Sequence, residues 1–199
     1  LLAGLRRPTR GQVRLFGGDP VAPRSRTQLG MAPQALSLPE TARVGEALSY
    51  VRAFYQQPVG IAELVEEFNI GRLLRQQVGG LSGGQKRLLS VALAFAGNPK
   101  LVLLDEPTTG LDGDSRELLW QRVSARVDAG TTLLVTSHYL EDIERLAARV
   151  VVLKGGRIVE DAAISDIRSA NRLAKVRLST GDPDIYQEVY RCGGIQYRH

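Results

Sequence analysis

Cysteine is almost absent: Cys192 stands alone among 199 residues, so no disulfide closes within the chain and no thiolate cluster holds a metal. Long hydrophobic runs are missing too. The longest, Val150 to Leu153 and Leu101 to Leu104, fall far short of the roughly 20 residues of a spanning helix, so any membrane role is expected to be peripheral. No block of one charge occurs. The 26 Lys and Arg against 21 Asp and Glu leave +5, scattered singly or in pairs, which reads as a solvated basic surface rather than a nucleic-acid tract. No secretory signal, repeat or low-complexity tract is visible within these 199 residues. Methionine occurs once, at Met31, and the chain opens on Leu1, so an upstream segment is expected to be missing.

What is present is ordinary globular composition, 43% hydrophobic and 24% charged, which excludes a fibrous or disordered chain. Short apolar runs alternate with helix-period stretches through the second half, as in a parallel sheet with crossover helices. Leu101 to Leu104 reads as a strand buried on both faces, and Thr131 to Thr136 as a second buried strand. Helices are expected over Lys86 to Ala96, Ser115 to Ala129 and Tyr139 to Ala148, with Gly97, Pro99 and Gly130 as stops. Arg149 to Leu153 and Arg157 to Glu160, around Gly155 and Gly156, read as a hairpin. From about Ala35 to Val78 only helical periodicity is visible (Val44, Leu48, Val51, Phe54; Ile61, Leu64, Val65, Phe68), which reads as a small helical insertion. Beyond Ala170 a strand-like piece (Lys175 to Leu178) and an amphipathic piece near Ile185 to Tyr190 remain.

Two features carry chemistry. The apolar strand ends in Asp105 and Glu106, where one carboxylate can hold Mg²⁺ and the next can polarise a water attacking a phosphate; alone, a solvated turn explains the pair as well. Leu81-Ser82-Gly83-Gly84-Gln85 runs into a helix start. Adjacent glycines let backbone N–H groups approach an anion, the helix terminus adds partial positive charge and Ser82 adds a hydroxyl. Alone, this is also a flexible helix lead-in.

Together, Leu81 to Gln85, Leu101 to Asp112 (LVLLDEPTTGLD) and Thr136-Ser137-His138 resemble, in type, order and spacing, the nucleotide-binding domain of an ATP-binding cassette (ABC) ATPase. The resemblance covers residues 1 to about 165, with 166–199 the start of a C-terminal appendage. It implies an α/β fold: a P-loop NTPase-like parallel sheet core, incomplete at the N-terminus, with a helical subdomain over about 35–96. It implies ATP and Mg²⁺ as cofactors, Asp105 as metal ligand, Glu106 as general base, His138 at the γ-phosphate and water, and Gln34 of Met31-Ala32-Pro33-Gln34 as sensor of metal and water. Ser82, Gly83, Gly84 and Gln85 are implied to bind the γ-phosphate of ATP held by an opposite subunit, and Asp112 of Gly110-Leu111-Asp112 to bridge the two subunits. Partners are therefore a second copy, head to tail, and an integral membrane permease that meets residues around Gln34 to Tyr55, with the chain on the cytoplasmic face of the cell membrane and no nucleic acid expected. Leu15-Phe16-Gly17-Gly18-Asp19-Pro20 and Ser137 to Asp142 are most similar to stand-alone ATPase subunits of drug, polysaccharide and lipid exporters. An importer subunit or a soluble ATPase acting on ribosomes or nucleic acid are the alternatives.

The phosphate loop G-x-x-x-x-G-K-[ST] occurs nowhere in the chain. In the family it lies just before the segment that Leu1 to Leu5 resembles; Pro8-Thr9-Arg10-Gly11 fits the following turn and Val13 to Phe16 the next strand. Truncation through the nucleotide site is the expectation. These 199 residues alone are then expected neither to bind ATP tightly nor to turn it over, and a micromolar ATP Kd by titration calorimetry would overturn that.

Overall fold

The computed structural model describes residues 1–170 and, as backbone alone, the short antiparallel pair Arg191–Cys192 and Ile195–Gln196. The pieces expected at Lys175 to Leu178 and Ile185 to Tyr190 lie outside the described residues. Two compact units divide the chain, Leu1–Leu146 and Ala147–His199, so residue 165, the expected end of the ATPase domain, falls within the second.

The first unit is built on a parallel sheet of β1 (Leu29–Ala32), β2 (Leu101–Asp105) and β3 (Thr132–Thr136), in that order, with Ala32 opposite Leu104 and Asp105 opposite Thr136. Parallel neighbours need crossovers. Three helices, α1 (Val44–Arg52), α2 (Ile61–Glu67) and α3 (Gly83–Phe95), lie between β1 and β2, α4 (Gly113–Asp128) lies between β2 and β3, and α5 (Leu140–Leu146) follows β3.

Strand β1 was not expected, because four residues with a central glycine carry little β signal. Gly30 is there for closeness: a Cβ would stand 1.9 Å from the Ala94 carbonyl oxygen, so α3 rests directly on β1. Conversely, Val13 to Phe16 forms no strand. Leu15 and Gly18 exchange two backbone bonds of 2.9 Å around Phe16 and Gly17, both at positive φ (50° and 80°), so the segment turns back on itself instead of extending.

The core lies on one face of the sheet, where Val102 and Leu104 are buried against Leu89, Val91, Phe95, Leu119 and Val123, and Leu133 and Val135 pack half-buried. The expected two-faced burial fails because these helices cover one face: Leu101 and Leu103 are half-buried and Leu134 is 48% exposed. Helix α3 departs the other way, with every residue from Leu89 to Phe95 buried rather than a single stripe. It also starts three residues earlier than expected, because Ser82 caps it. The Ser82 hydroxyl oxygen accepts the Gln85 N–H at 3.2 Å, and the Ser82 N–H donates to the Gln85 amide oxygen at 3.0 Å.

Within 35–96, α1 buries Val44, Ala47 and Leu48, but Phe54 lies beyond its end and is 67% exposed, edge-on to Tyr50 at 5.1 Å, so it leaves the expected apolar face. Phe68, after α2, stacks on Phe95 at 5.8 Å. Arg126 of α4 grips Glu67 with two nitrogens and Glu63 at 3.3 Å, tying α2 to α4.

The second unit holds the expected hairpin, β4 (Arg149–Lys154) and β5 (Arg157–Ala163), joined by Gly155 and Gly156 at positive φ and followed by α6 (Ile164–Ala170). Among the described residues no helix is long and apolar enough to cross a membrane.

Gly30→Ala should lower stability by about 1–3 kcal/mol, the usual cost of forcing atoms into a packed core, checked by urea unfolding. A second expectation concerns Asp112, the N-cap of α4, whose carboxyl is held below its ordinary range by the Ser115 N–H, then by the Ser115 side chain. A depressed folded value contributes stability above the unfolded pKa that is lost as pH falls through the folded one. The Tm advantage of wild type over Asp112→Asn should therefore be present at neutral pH and shrink on acidification below the ordinary carboxylate range.

Candidate functional site

Three parallel strands end together, and the loops leaving β1, β2 and β3 carry Gln34, the acids Asp105 and Glu106, and His138. The carboxyl end of such a sheet is where open α/β folds receive ligands. Glu106 has a backbone φ of 52°, a left-handed conformation uncommon for a residue with a side chain. It is held there by its N–H donating to the Thr136 carbonyl at 2.9 Å and its carbonyl accepting from the Thr109 N–H at 3.3 Å. The turn sets Glu106 Oε2 2.7 Å from His138 Nδ1, across two strand ends. The Glu106 side chain is 19% exposed and the His138 ring 61%, so the acid is sheltered and the ring is open to a ligand. Asp105 is exposed at the strand tip, where the Thr136 hydroxyl donates to its Oδ1 at 2.5 Å.

Gln34 is exposed two residues beyond β1. Its loop is fixed through its backbone: Arg87, one turn into α3 and only 7% exposed, donates to the Pro33 carbonyl at 2.8 Å and the Gln34 carbonyl at 2.9 Å. Burial lowers the Arg87 pKa, while the nearby carboxylates of Asp105 and Glu106 raise it. A buried cation thus stands close to the acid pair and holds the Gln34 loop with a planar fork.

The second group lies at the starts of α3 and α4. Ser82 and Gln85 are engaged in the capping box described above, with the Ser82 proton still available to donate. Gly83 has nothing within 4 Å of where a Cβ would stand, as close approach of a ligand requires. Gly84 is glycine for another reason: a Cβ there would meet the Gly110 carbonyl oxygen at 3.1 Å and Leu111 Cδ2 at 3.4 Å. The first turn of α3 therefore rests on the segment that leads into Asp112, and Asp112 accepts the Ser115 N–H at 2.8 Å.

Among the described residues no three His, Cys, Asp or Glu side chains gather as a metal site. One strand-tip carboxylate suits a hard cation that takes its remaining ligands from phosphate and water, the habit of Mg²⁺.

Sequence reasoning missed Arg87 and Asp142. Arg87 falls on the buried side of α3, three and seven residues before Ser90 and Ala94, and that helical spacing was its signal. Asp142, fully buried in α5, accepts bonds from Thr108, Trp120 and Ser137; in sequence it resembles any acid in a first helical turn.

The sequence model of the family described as "ABC transporter" matches residues 1–109. The chain is 35% identical over 175 residues to the Nod factor export ATP-binding protein I of Cupriavidus pinatubonensis (strain JMP 134 / LMG 1197), covering 84% of this chain and 54% of that protein. It is 33% identical over 200 aligned positions to the daunorubicin/doxorubicin resistance ATP-binding protein DrrA of Streptomyces peucetius, covering 96% and 60%. It thus spans little more than half the length of these curated relatives. Among solved structures it is similar to an ATP binding subunit of an ABC transporter, with a TM-score of 0.76, 28% identity, and 85% of this chain and 73% of that one covered. It shares the fold of the dimeric bacterial ABC transporter cassette MJ0796, with a TM-score of 0.71, 22% identity, and 81% and 77% covered. With the family match running over more than half of its residues, on a parallel sheet whose strand ends collect Gln34, Asp105, Glu106 and His138, the chain belongs to the ABC transporter family.

Proposed function

We propose that this chain is part of an ATPase subunit that binds and hydrolyses ATP to drive export of a small molecule, lipid or polysaccharide through a separate membrane permease, working from the cytoplasmic face of the cell membrane. The observation that carries the reading is the 2.7 Å contact between Glu106 and His138 beside the strand-tip Asp105. In phosphoryl transfer the protein mainly positions groups and stabilises charge. Glu106, sheltered beside His138, takes a proton from the attacking water as general base. His138 holds the carboxylate on one side and meets the γ-phosphate and the water on the other. Asp105 and Gln34 would hold Mg²⁺, which when bound would neutralise charge on the phosphate oxygens. The grip on the β and γ phosphates, a phosphate loop, does not occur among the 199 residues.

The open Gly83 and the free Ser82 proton, with Gln85 and Asp112, face a second copy of the subunit. Ser82, Gly83, Gly84 and Gln85 contact the γ-phosphate of nucleotide held there and Asp112 bridges the two subunits, giving a head-to-tail homodimer with two composite sites. The pair of exposed aromatics Tyr50 and Phe54 supports a permease contact in the region from Gln34 to Tyr55. The relatives named for Nod factor export and for drug resistance support export over import, and transport over a role on ribosomes or nucleic acid.

In the protein expressed from its natural gene, Glu106→Gln should cut ATP turnover by about 100-fold or more and trap an ATP-bound dimer seen by size-exclusion chromatography. Turnover at the wild-type rate would remove Glu106 as the base.

A further inference from the structure

We propose that Asp142 is a positioning residue for the Glu106–His138 pair, a buried carboxylate that holds the loop after β2 and the loop after β3 in fixed relation; the catalytic part of this inference rests on the reading of those two residues given above. Asp142 is completely buried. Its Oδ2 accepts the Thr108 hydroxyl at 2.6 Å and the Ser137 hydroxyl at 2.6 Å, and its Oδ1 accepts the Trp120 indole N–H at 2.8 Å. Each donor belongs to a different segment. Thr108, itself fully buried, lies two residues after Glu106; Ser137 immediately precedes His138; Trp120 is on α4.

The direction of these bonds is set. Ser137 Oγ accepts the Tyr139 N–H at 3.0 Å, and its one proton goes to Asp142. A buried carboxylate without donors is costly, and each donor lost leaves it further under-satisfied, so the acid draws both loops to itself. Threonine and serine reach it through short side chains with one free torsion, which transmits the constraint to the backbone at 108 and 137 rather than absorbing it. In front, the loops are joined by the Glu106 N–H to Thr136 and by Thr136 to Asp105. Behind, Asp142 joins them a second time. The 2.7 Å between Glu106 and His138 spans those two loops, and a shift of about 1 Å in either can cost a hundred-fold in rate. Trp120 touches neither reacting residue; it fixes the carboxylate to α4, and Arg145 lies over its ring at 5.5 Å.

The arms can be cut one at a time. In the ATPase expressed from its natural gene, Thr108→Val and Ser137→Ala should each lower kcat about ten-fold or more with KM for ATP changed by no more than about two-fold. Trp120→Phe removes an equal number of bonds from the same carboxylate and should lower Tm comparably with kcat changed by no more than about two-fold. Asp142→Asn should restore most of the rate that Asp142→Ala loses, because its amide oxygen can accept from Trp120 while its two N–H groups donate to the Thr108 and Ser137 oxygens. If kcat instead tracks Tm across all these variants, Trp120→Phe included, Asp142 merely supports the fold and the proposal fails. In the 199-residue chain itself, amide hydrogen exchange should rise over 106–109 in Thr108→Val and over 137–139 in Ser137→Ala. Unchanged exchange in both would overturn the latch whatever the ATPase assay gives. Raised exchange together with a Glu106→Gln variant hydrolysing at the wild-type rate would keep the latch as a structural device and overturn its catalytic role along with the ATPase reading.

Discussion

Strand β2 is hydrogen-bonded in parallel on both sides, to β1 and to β3, and that pairing places the rest of the unit. Parallel register means that three chains entering at one edge leave at the other together, so Pro33-Gln34, Asp105-Glu106 and Ser137-His138 emerge side by side although about 100 residues separate the first from the last. The register is pinned by burial: Val102 at 0% and Leu104 at 2% exposure face the helices. A slip of one residue would turn them out and carry Asp105 inward, which neither the core nor the acid tolerates. Crossover helices are then obligatory, and α3 is the one pressed against β1 at Gly30, where no side chain fits.

Behind the residues at the strand ends stands a layer of buried polar side chains. Arg87 and Asp142 are 7% and 0% exposed, and each ties loops: Arg87 donates to the carbonyls of Pro33 and Gln34, and Asp142 accepts from the hydroxyls of Thr108 and Ser137 as well as from Trp120 on α4. Such groups add little net stability, because desolvation offsets much of what the bonds return. What they supply is geometry. A loop tied by a planar fork or a two-headed acceptor has few alternative conformations, and the left-handed turn at Glu106 persists only because its surroundings over-determine it.

This layering explains what the sequence revealed. Motif residues that face outward, Asp105, Glu106, His138 and Ser82 to Gln85, are legible because their chemistry restricts residue type. The supporting layer is not, because an arginine in a helix and an acid in a first turn are common for reasons of propensity and dipole. Strand β2 is legible as a continuous apolar run, whereas β1, four residues with a glycine, is defined by its neighbours rather than by itself. Val13 to Phe16 failed in the opposite sense: the family resemblance implied a strand there, yet the Phe16-Gly17 turn closes Leu15 onto Gly18. Gly84 shows how one residue type serves two needs. Sequence assigns both glycines of the loop to an anion, while the structure leaves Gly83 open and uses Gly84 for contact with Gly110 and Leu111.

That contact links the two groups of the site through backbone. The 82–85 loop bears on Gly110 and Leu111, four and five residues after Glu106 in the same connection between β2 and α4. One turn further along α3, Arg87 holds the loop of Gln34. Helix α3 is therefore tied at its start to the segment carrying the acids and, one turn later, to the segment carrying the glutamine. Its capping box spends the Ser82 and Gln85 side chains on making that start rigid. The start of α3 is thus held between Gly110 and Leu111 on one side and the loop gripped by the Arg87 fork on the other.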